Sequence, residues 1–322
     1  MIVLTYTKEP NFTPKDPKEF DFKEIIYEKK DWKATVTINR PEVYNAYSTL
    51  TLMEMIEAFH DAAWDNKIAV IILTGAGDRA FCTGGDVKEY RERFTIKPAE
   101  YWKWMSIFQE AHDVFRNIGK PTIARINGIV AGGGNEWQMA CDLAIAAEHA
   151  TIQQVGTRVG SVACGGATQW LPIIVGDRRA REILYLCEPI SAQKALEWGL
   201  VNEVVPYTEI DDAIDKMSQK LIDKFPECMR YTKQQVNFWK DLVWHQTIGH
   251  AKDWLSIHYA SWEPLEGMSA FVEKRPPNYR GVRESPHPEF LWGPPSVTCP
   301  SCQAKSIPSD FKFCGNCGAK LE

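Results

Sequence analysis

Two groups of residues in this chain have types and spacings that could do chemistry. The first is a set of thiols, Cys299-Pro-Ser-Cys302 and Cys314-Gly-Asn-Cys317, two CxxC pairs with eleven residues between them. Tetrahedral zinc takes four thiolates at about 2.3 Å, and two such knuckles at the tips of a short β-ribbon supply them. Gly315 and Gly318 stand in and just after the second knuckle, where the tight turn calls for a permissive backbone. Four protein ligands close the coordination sphere, so the zinc expected here is structural and not catalytic. A segment this short has almost no core of its own, and metal is what orders it.

The second group is glycine beside carboxylate. Ala80-Phe81-Cys82-Thr83-Gly84-Gly85-Asp86 follows an apolar run and its turn. Asn127-Gly128-Ile129-Val130-Ala131-Gly132-Gly133-Gly134-Asn135-Glu136 follows a second apolar run that ends at Ile126. Three consecutive glycines entering a helix leave backbone N–H groups accessible at its positive end, which suits an oxyanion or a phosphate. Neither segment is GxGxxG or GxxxxGK[ST], so the dinucleotide and P-loop readings fail on pattern. Taken alone, the glycines serve equally well to let a helix pack closely. Glu136 alone reads as a first-turn glutamate that complements the helix dipole, and Asp86 as a cap for the next helix.

Regular elements must position these segments. Lys33-Ala34-Thr35-Val36-Thr37-Ile38 alternates and is β-branched, which predicts a strand. Leu50 to Trp64 carries Leu52, Ile56, Phe59 and Ala63 at helical spacing. Ala69 to Leu73 is a short apolar strand before the turn Thr74-Gly75-Ala76-Gly77-Asp78, and Pro121 to Ile126 is another strand. The triplet Gly132-Gly133-Gly134 then leads into a helix through Met139. Strands alternating with helices point to βα units in a layered α/β domain. From about Thr208 to Ala270 the chain reads as mostly helical and rich in tryptophan, and His245, His250 and His258 fall there as packed or exposed residues. The organisation expected is an amino-terminal arm over 1–20, loosely attached, a core over 21–205 and a helical region over 206–280. A Pro-rich extended linker over 281–298 and the ribbon over 299–322 follow.

Composition narrows the class. Lysine and arginine number 37 against 42 acidic residues, a net charge of -5, which offers no polycation to nucleic acid. With 44% hydrophobic residues, the 322-residue chain can bury a sizeable core. No apolar run approaches the ~18 residues of a membrane span. Lys8 and Glu9 come too early for a signal h-region. Nine cysteines without a secretion signal argue for reduced thiols or metal ligands. Cys82, Cys141, Cys164, Cys187 and Cys228 share no spacing pattern and read as small buried hydrophobes. The expectation is a cytoplasmic globular protein.

Successive segments resemble the crotonase (enoyl-CoA hydratase/isomerase) superfamily. They are Ile38-Asn39-Arg40-Pro41-Glu42-Val43-Tyr44-Asn45-Ala46, Phe81 to Asp86, Gly132 to Glu136, Cys141 to Ala146, Ser191 to Ala195 and Gly199-Leu200-Val201. Glu273-Lys274-Arg275-Pro276-Pro277-Asn278-Tyr279 resembles the closing motif, so the likeness runs over about residues 23 to 280. It implies a ββα spiral core with a helical carboxyl-terminal region that helps trimerise the protein, as a homotrimer or a dimer of trimers. It also implies acyl-CoA thioester substrates, with CoA entering as part of the substrate. By position, the N–H groups of Gly85 and Gly133 form an oxyanion hole around the thioester carbonyl. Glu136 takes the place of a catalytic acid/base residue. Gly84, Asp86, Gly134, Gln154, Gly156 and Ser161 fall around the substrate, Asp86 and Ser161 keeping the plainer roles of a cap and a loop brace. Arg158 likewise braces a loop, and Lys274 and Arg275 meet either CoA phosphates or solvent.

The position of a second catalytic glutamate in ordinary hydratases falls at Gly156, so the paired-carboxylate arrangement is broken. Gln154 to Ser161 also resembles the subgroup that makes or breaks carbon–carbon bonds, although Ala163 stands where that subgroup usually has aspartate. Ala131 to Glu136, Gly165-Gly166-Ala167-Thr168, Leu186 to Ala192 and Phe225-Pro226-Glu227-Cys228 resemble 6-oxocyclohex-1-ene-1-carbonyl-CoA hydrolase. That family hydrates an alicyclic oxo-enoyl-CoA and opens its ring in anaerobic aromatic degradation. Its chains carry extra residues after the motif matched by Val204-Val205-Pro206; this chain has none there and adds the ribbon. Two other readings stand beside it. One is an ordinary enoyl-CoA hydratase or isomerase with a single glutamate. The other is a degenerate core that binds a protein partner through its zinc ribbon.

Overall fold

The alternating segment expected near residue 33 forms the second arm of a hairpin. A computed structural model of the chain describes residues 13–284, 296–305, 307–308 and 311–321. Strands β1 (Ile25–Lys30) and β2 (Lys33–Ile38) pair antiparallel through a tight turn whose central residues, Asp31 and Trp32, both have positive φ. Ala34, Val36 and Ile38 point inward and are fully buried, as a period of two requires. Residues 13–20, expected as part of a loose arm, dock instead. The Lys15 N–H donates to Asp61 at 2.7 Å, and the Phe20 ring stands edge-on to Tyr27.

Helix α1 (Thr49–Trp64) starts at a Ser48 cap that accepts from the Thr51 N–H. Its buried apolar face is Leu52, Met55, Phe59 and Ala62, not the Leu52, Ile56, Phe59, Ala63 stripe that hydropathy suggests. The face turns because Glu54 and Asp61 are buried with it. Glu54 collects the N–H groups of Lys23, Glu24 and Ile25 at 2.7–3.2 Å, and Asp61 accepts from Tyr27 Oη at 2.6 Å. Carboxylates with such partners can sit inside.

The spiral then begins. It runs β3 (Val70–Gly75), β4 (Ala80–Cys82), the single turn α2 (Val87–Glu89), α3 (Pro98–Arg116), β5 (Thr122–Ile126), β6 (Ile129–Ala131) and α4 (Gly133–Ala140). It continues through β7 (Leu143–Ala147), β8 (Thr151–Gln153), α5 (Ala167–Val175), α6 (Asp177–Leu186), β9 (Ile190–Ser191), α7 (Ala192–Glu197) and β10 (Glu203–Val205). One sheet has the order β1-β2-β3-β5-β7-β10 and the other β4-β6-β8-β9. Each ββ pair therefore places one strand in each sheet before a helix carries the chain on, three times over. This is the ββα spiral that the resemblance implies. β3 is buried along its whole length, as its unbroken apolar run predicts.

Three helices follow: α8 (Ile210–Ile222), α9 (Pro226–His258) and α10 (Trp262–Val272). Ile210 and Ile214 of α8 cover Val70, Ile72, Ile123 and Ile145 of the larger sheet. Trp244 of α9 is fully buried and donates to Asp113 at 2.6 Å. Arg116 lies over the Trp170 and Trp244 rings, at 4.7 and 5.6 Å, and pairs with Asp241. Four of the five unpatterned cysteines are buried as expected, but Cys228, in the first turn of α9, is exposed. No helix among the described residues is long and apolar enough to cross a membrane.

The chain divides into two compact units: Met1–Asp86 with Lys103–Thr157 and Val162–Lys252, and Val87–Trp102 with Arg158–Ser161 and Asp253–Glu322. Both spiral sheets belong to the first. In the second, Tyr101 stacks on Tyr259 at 3.7 Å, and Arg275 pairs with Glu266 and Glu273. Here too the stretch expected as an extended linker begins in a short helix, α11 (Tyr279–Glu284), while residues 285–295 lie outside the described residues. Strands β11 (Ser296–Val297) and β12 (Ile307–Pro308) pair antiparallel and carry the cysteine knuckles.

Candidate active site and metal centre

Strand register brings the two glycine loops together. β4 and β6 are parallel neighbours with Cys82 opposite Val130, and three residues past each stand Gly85 and Gly133. Both loops thus leave the same end of the smaller sheet. Tyr47 clamps the first, its N–H donating to Gly84 O and its carbonyl accepting from the Asp86 N–H, each at 2.9 Å. A Cβ on Gly84 would lie 3.0 Å from the Gly133 nitrogen, which shows how closely the loops approach. Gly84, Gly132 and Gly134 are buried, whereas Gly85 and Gly133 are half-exposed. Neither the Gly85 nor the Gly133 N–H has a protein acceptor among the described residues. Gly133 opens α4, so its N–H is one that a helix leaves unpaired at its positive end. The pair has the makings of an oxyanion hole.

The close fit tolerates no side chain. Gly132 has φ +52° and ψ −121°, a conformation that L residues rarely adopt. A Cβ on Gly133 would collide with Tyr47 Oη, and one on Gly134 with the Cys82 carbonyl. Gly134→Ala should therefore destabilise the fold by about 1–3 kcal/mol. Urea unfolding checks this, and an unchanged midpoint would show that the loops can separate.

Glu136 sits one turn into α4 and is 4% exposed. Its Oε1 accepts the Ala167 N–H at 3.3 Å, at the start of α5. Gly165 packs against the same carboxyl so closely that a Cβ there would strike Oε2 and the edge of Phe108. Burial pushes the Glu136 carboxyl up to about 7, although the Ala167 and Gly165 N–H groups pull the other way. A carboxyl poised there can take or give a proton near neutrality. An aromatic layer stands beside it: Phe108 stacks between Tyr47 at 6.2 Å and Trp104 at 5.3 Å.

The remaining residues expected around substrate separate into several settings. Gln154 is buried, and its Nε2 donates to Gly132 O at 3.2 Å. Gly156 opens a single 3₁₀ turn, Gly156–Arg158, with no side chain to act. Asp86 pairs with Arg40 at 2.9 Å, and Arg40 also donates to Ala46 O at 2.6 Å, so this carboxylate braces the loop that carries Gly85. Ser161 belongs to the second unit, where its Oγ is 3.1 Å from Tyr259 Oη.

Residues 29–282 match the family model described as enoyl-CoA hydratase/isomerase. The chain belongs to that family. Solved structures agree in fold. An enoyl-CoA hydratase from Bacillus anthracis is 31% identical, with 80% of this chain and 100% of that one aligned at a TM-score of 0.65. One from Mycobacterium avium subsp. paratuberculosis K-10 is 26% identical over 80% of this chain and 98% of that one, at 0.72. An enoyl-CoA hydratase/isomerase from Xanthobacter autotrophicus Py2 is 28% identical over 78% and 92%, at 0.71.

Two residues that pack against the glycine loops and Glu136 escape sequence reasoning. Tyr47 follows directly on Asn45-Ala46, yet nothing in its spacing says that its main chain clamps Gly84 and Asp86. Phe108 is one aromatic among several on α3, and only packing singles it out. The signal available for Tyr47 was its adjacency to the recognised segment; for Phe108 there was none.

The cysteines lie beyond the span that matches the family. Cys299, Cys302, Cys314 and Cys317 have their sulfurs within 4.8 Å of one another. The Cys299–Cys317 and Cys302–Cys314 pairs are 3.6 and 3.7 Å apart. Four thiolates at 2.3 Å from one zinc stand about 3.8 Å apart, so the residues fit the ion. The two knuckles repeat each other. Cys299 N donates to Ala304 O and Cys314 N to Ala319 O, while Gln303 and Gly318 return their N–H groups to the first cysteine of each knuckle. Both return residues have positive φ, 61° and 72°. A hydrogen bond from Asn316, together with the Ala304 N–H, draws the Cys302 thiol down to about 6, toward the thiolate that a metal requires.

Proposed function

We propose that this chain adds water to an alicyclic enoyl-CoA thioester and then opens the ring hydrolytically, as 6-oxocyclohex-1-ene-1-carbonyl-CoA hydrolase does. The observation that carries the proposal is a single buried carboxyl, Glu136, held near pKa 7 beside two unpaired glycine N–H groups, with Gly156 in place of a second glutamate. The thioester carbonyl accepts from Gly85 and Gly133, which polarises the conjugated alkene. Glu136 takes a proton from water as the hydroxyl adds to the β-carbon and returns that proton to the α-carbon. In the second step water attacks the ring ketone, and the bond between that carbon and the α-carbon breaks. The electron pair passes to the α-carbon and is held as the thioester enolate in the same hole, leaving a carboxylic acid at the opened end. The second proton of that water, carried by Glu136, then quenches the enolate at the α-carbon. One oxyanion hole serves both steps. The aromatic layer of Tyr47, Phe108 and Trp104 suits a flat or cyclic acyl group.

A second reading is simple hydration, favoured by the 31% identity to a protein described as an enoyl-CoA hydratase. Mass spectrometry with crotonyl-CoA and 6-oxocyclohex-1-ene-1-carbonyl-CoA separates the two. We expect the cyclic ester to gain two waters and the linear ester to gain little. Gain of one water on either ester supports hydration alone; gain on neither supports a binding role. The proposal includes a structural zinc on the four cysteines, which would cross-link the two knuckles and leave the ribbon free to meet a protein partner. It also includes a cytoplasmic homotrimer or dimer of trimers, supported by the exposed Tyr231, Val236, Phe238 and Trp239 of α9.

A further inference from the structure

We propose that Gln154 is a positioning residue for the oxyanion hole, acting through Gly132 on the N–H of Gly133. The inference rests on the acyl-CoA reading above. A peptide unit is planar and trans, so the carbonyl of Gly132 and the N–H of Gly133 lie in one plane and point in opposite directions. Whatever holds the Gly132 oxygen therefore aims the Gly133 N–H. Gln154 Nε2 donates to that oxygen at 3.2 Å, and a carbonyl only accepts, so the group facing it is the amide NH₂. Gln154 is 1% exposed and has no slack.

The neighbouring residues complete a cradle. Gln153 O accepts the Gly132 N–H at 3.1 Å, which fixes the peptide on the other side of the same α-carbon. Val155 closes a third side, its Cγ2 3.1 Å from where a Gly132 Cβ would stand. Three consecutive residues at the end of β8 thus grip the one glycine whose φ of +52° turns the peptide. The first turn of α4 holds the Gly132 oxygen through the Asn135 and Glu136 N–H groups, and Gln154 adds a side-chain donor from outside the helix. A donor on the Gly132 oxygen also polarises the amide and strengthens the Gly133 N–H as a donor.

The structure also separates this role from stability. Gly132 O accepts the Asn135 N–H at 3.0 Å and the Glu136 N–H at 3.4 Å, so it keeps partners without Gln154. Gln154 Oε1 is buried and makes no hydrogen bond among the described residues. Gln154→Met, similar in shape and without polar atoms, should leave the fold intact. It should lower kcat by about 10–100-fold, less than the ~10²–10³ of losing an oxyanion donor outright, with KM little changed. The deciding readout is optical. 4-(Dimethylamino)cinnamoyl-CoA absorbs at longer wavelength as its thioester carbonyl is polarised. Wild type should shift the bound probe to the red, and Gln154→Met should lose most of that shift while still binding it. Gln154→Asn, which keeps the amide but not the reach, should behave like Gln154→Met and serves if that variant fails to fold. A full shift and full kcat in the variant that folds would overturn the role of Gln154. Absence of a shift in wild type would instead overturn the acyl-CoA reading.

Discussion

Glu136→Gln should lower enoyl-CoA turnover by about 10²–10⁴-fold, leave CoA-ester binding intact and make the protein more stable above pH 7. The two effects share one cause. Burial raises the Glu136 carboxyl from 4.5 to about 7, so the folded chain keeps a proton that the unfolded chain has released. The sign follows. A folded pKa above the unfolded value stabilises the fold below about pH 4.5, and that contribution is lost as pH rises through about 7. A shift of this size corresponds to about 3 kcal/mol, and glutamine has no such slope. Gln offers one acceptor oxygen to the Gly165 and Ala167 N–H groups where Glu offers two, which makes the realised gain nearer 1–2 kcal/mol. Urea unfolding of both proteins at pH 5 and pH 8 should show a gap that opens at the higher pH. For wild type, kcat/KM should rise as pH passes through about 7, because the proposed base is the ionised carboxyl. An active glutamine variant would sink the assignment of Glu136.

The second large effect concerns the ribbon. The purified chain should carry one zinc, and Cys302→Ser should remove it. Zinc contributes about 10–16 kcal/mol to small thiolate sites at neutral pH, far more than a segment of this size can gain by burial. The small ribbon cluster is Cys299, Ile307, Cys314 and Leu321, two of them proposed zinc ligands. Without the ion these side chains have little reason to stay together. Limited proteolysis should then cut within residues 296–321, while turnover by the spiral core persists. Full zinc content in Cys302→Ser would exclude a four-thiolate site, and loss of turnover would tie the ribbon to catalysis.

These expectations were legible in the sequence to different degrees. The strands at residues 33–38 and 122–126 could be read because alternation and β-branching act locally. β3 was readable because a strand covered on both faces must be apolar throughout. The working face of α1 was not, since Glu54 and Asp61 look polar until their partners on other segments are known. Cys228 looked like the other unpatterned cysteines, and only its place in the first turn of α9 sets it apart. Asp86 reads locally as a cap, while its ion pair with Arg40, 46 residues away, requires the fold.

Residue type and local spacing alone determined the two CxxC pairs, the βα alternation and the glycine loops, while the single glutamate with Gly156 in the second position follows from the resemblance to the crotonase superfamily. These are properties of short segments, and each residue type carries its own chemistry. Only the tertiary structure decided that Gly85 and Gly133 emerge side by side, because that depends on the register of β4 against β6. Nor could sequence say that Glu136 titrates near 7. That value comes from burial under Gly165 and Ala167, about thirty residues further along, and desolvation exists only once the chain has closed around the carboxyl.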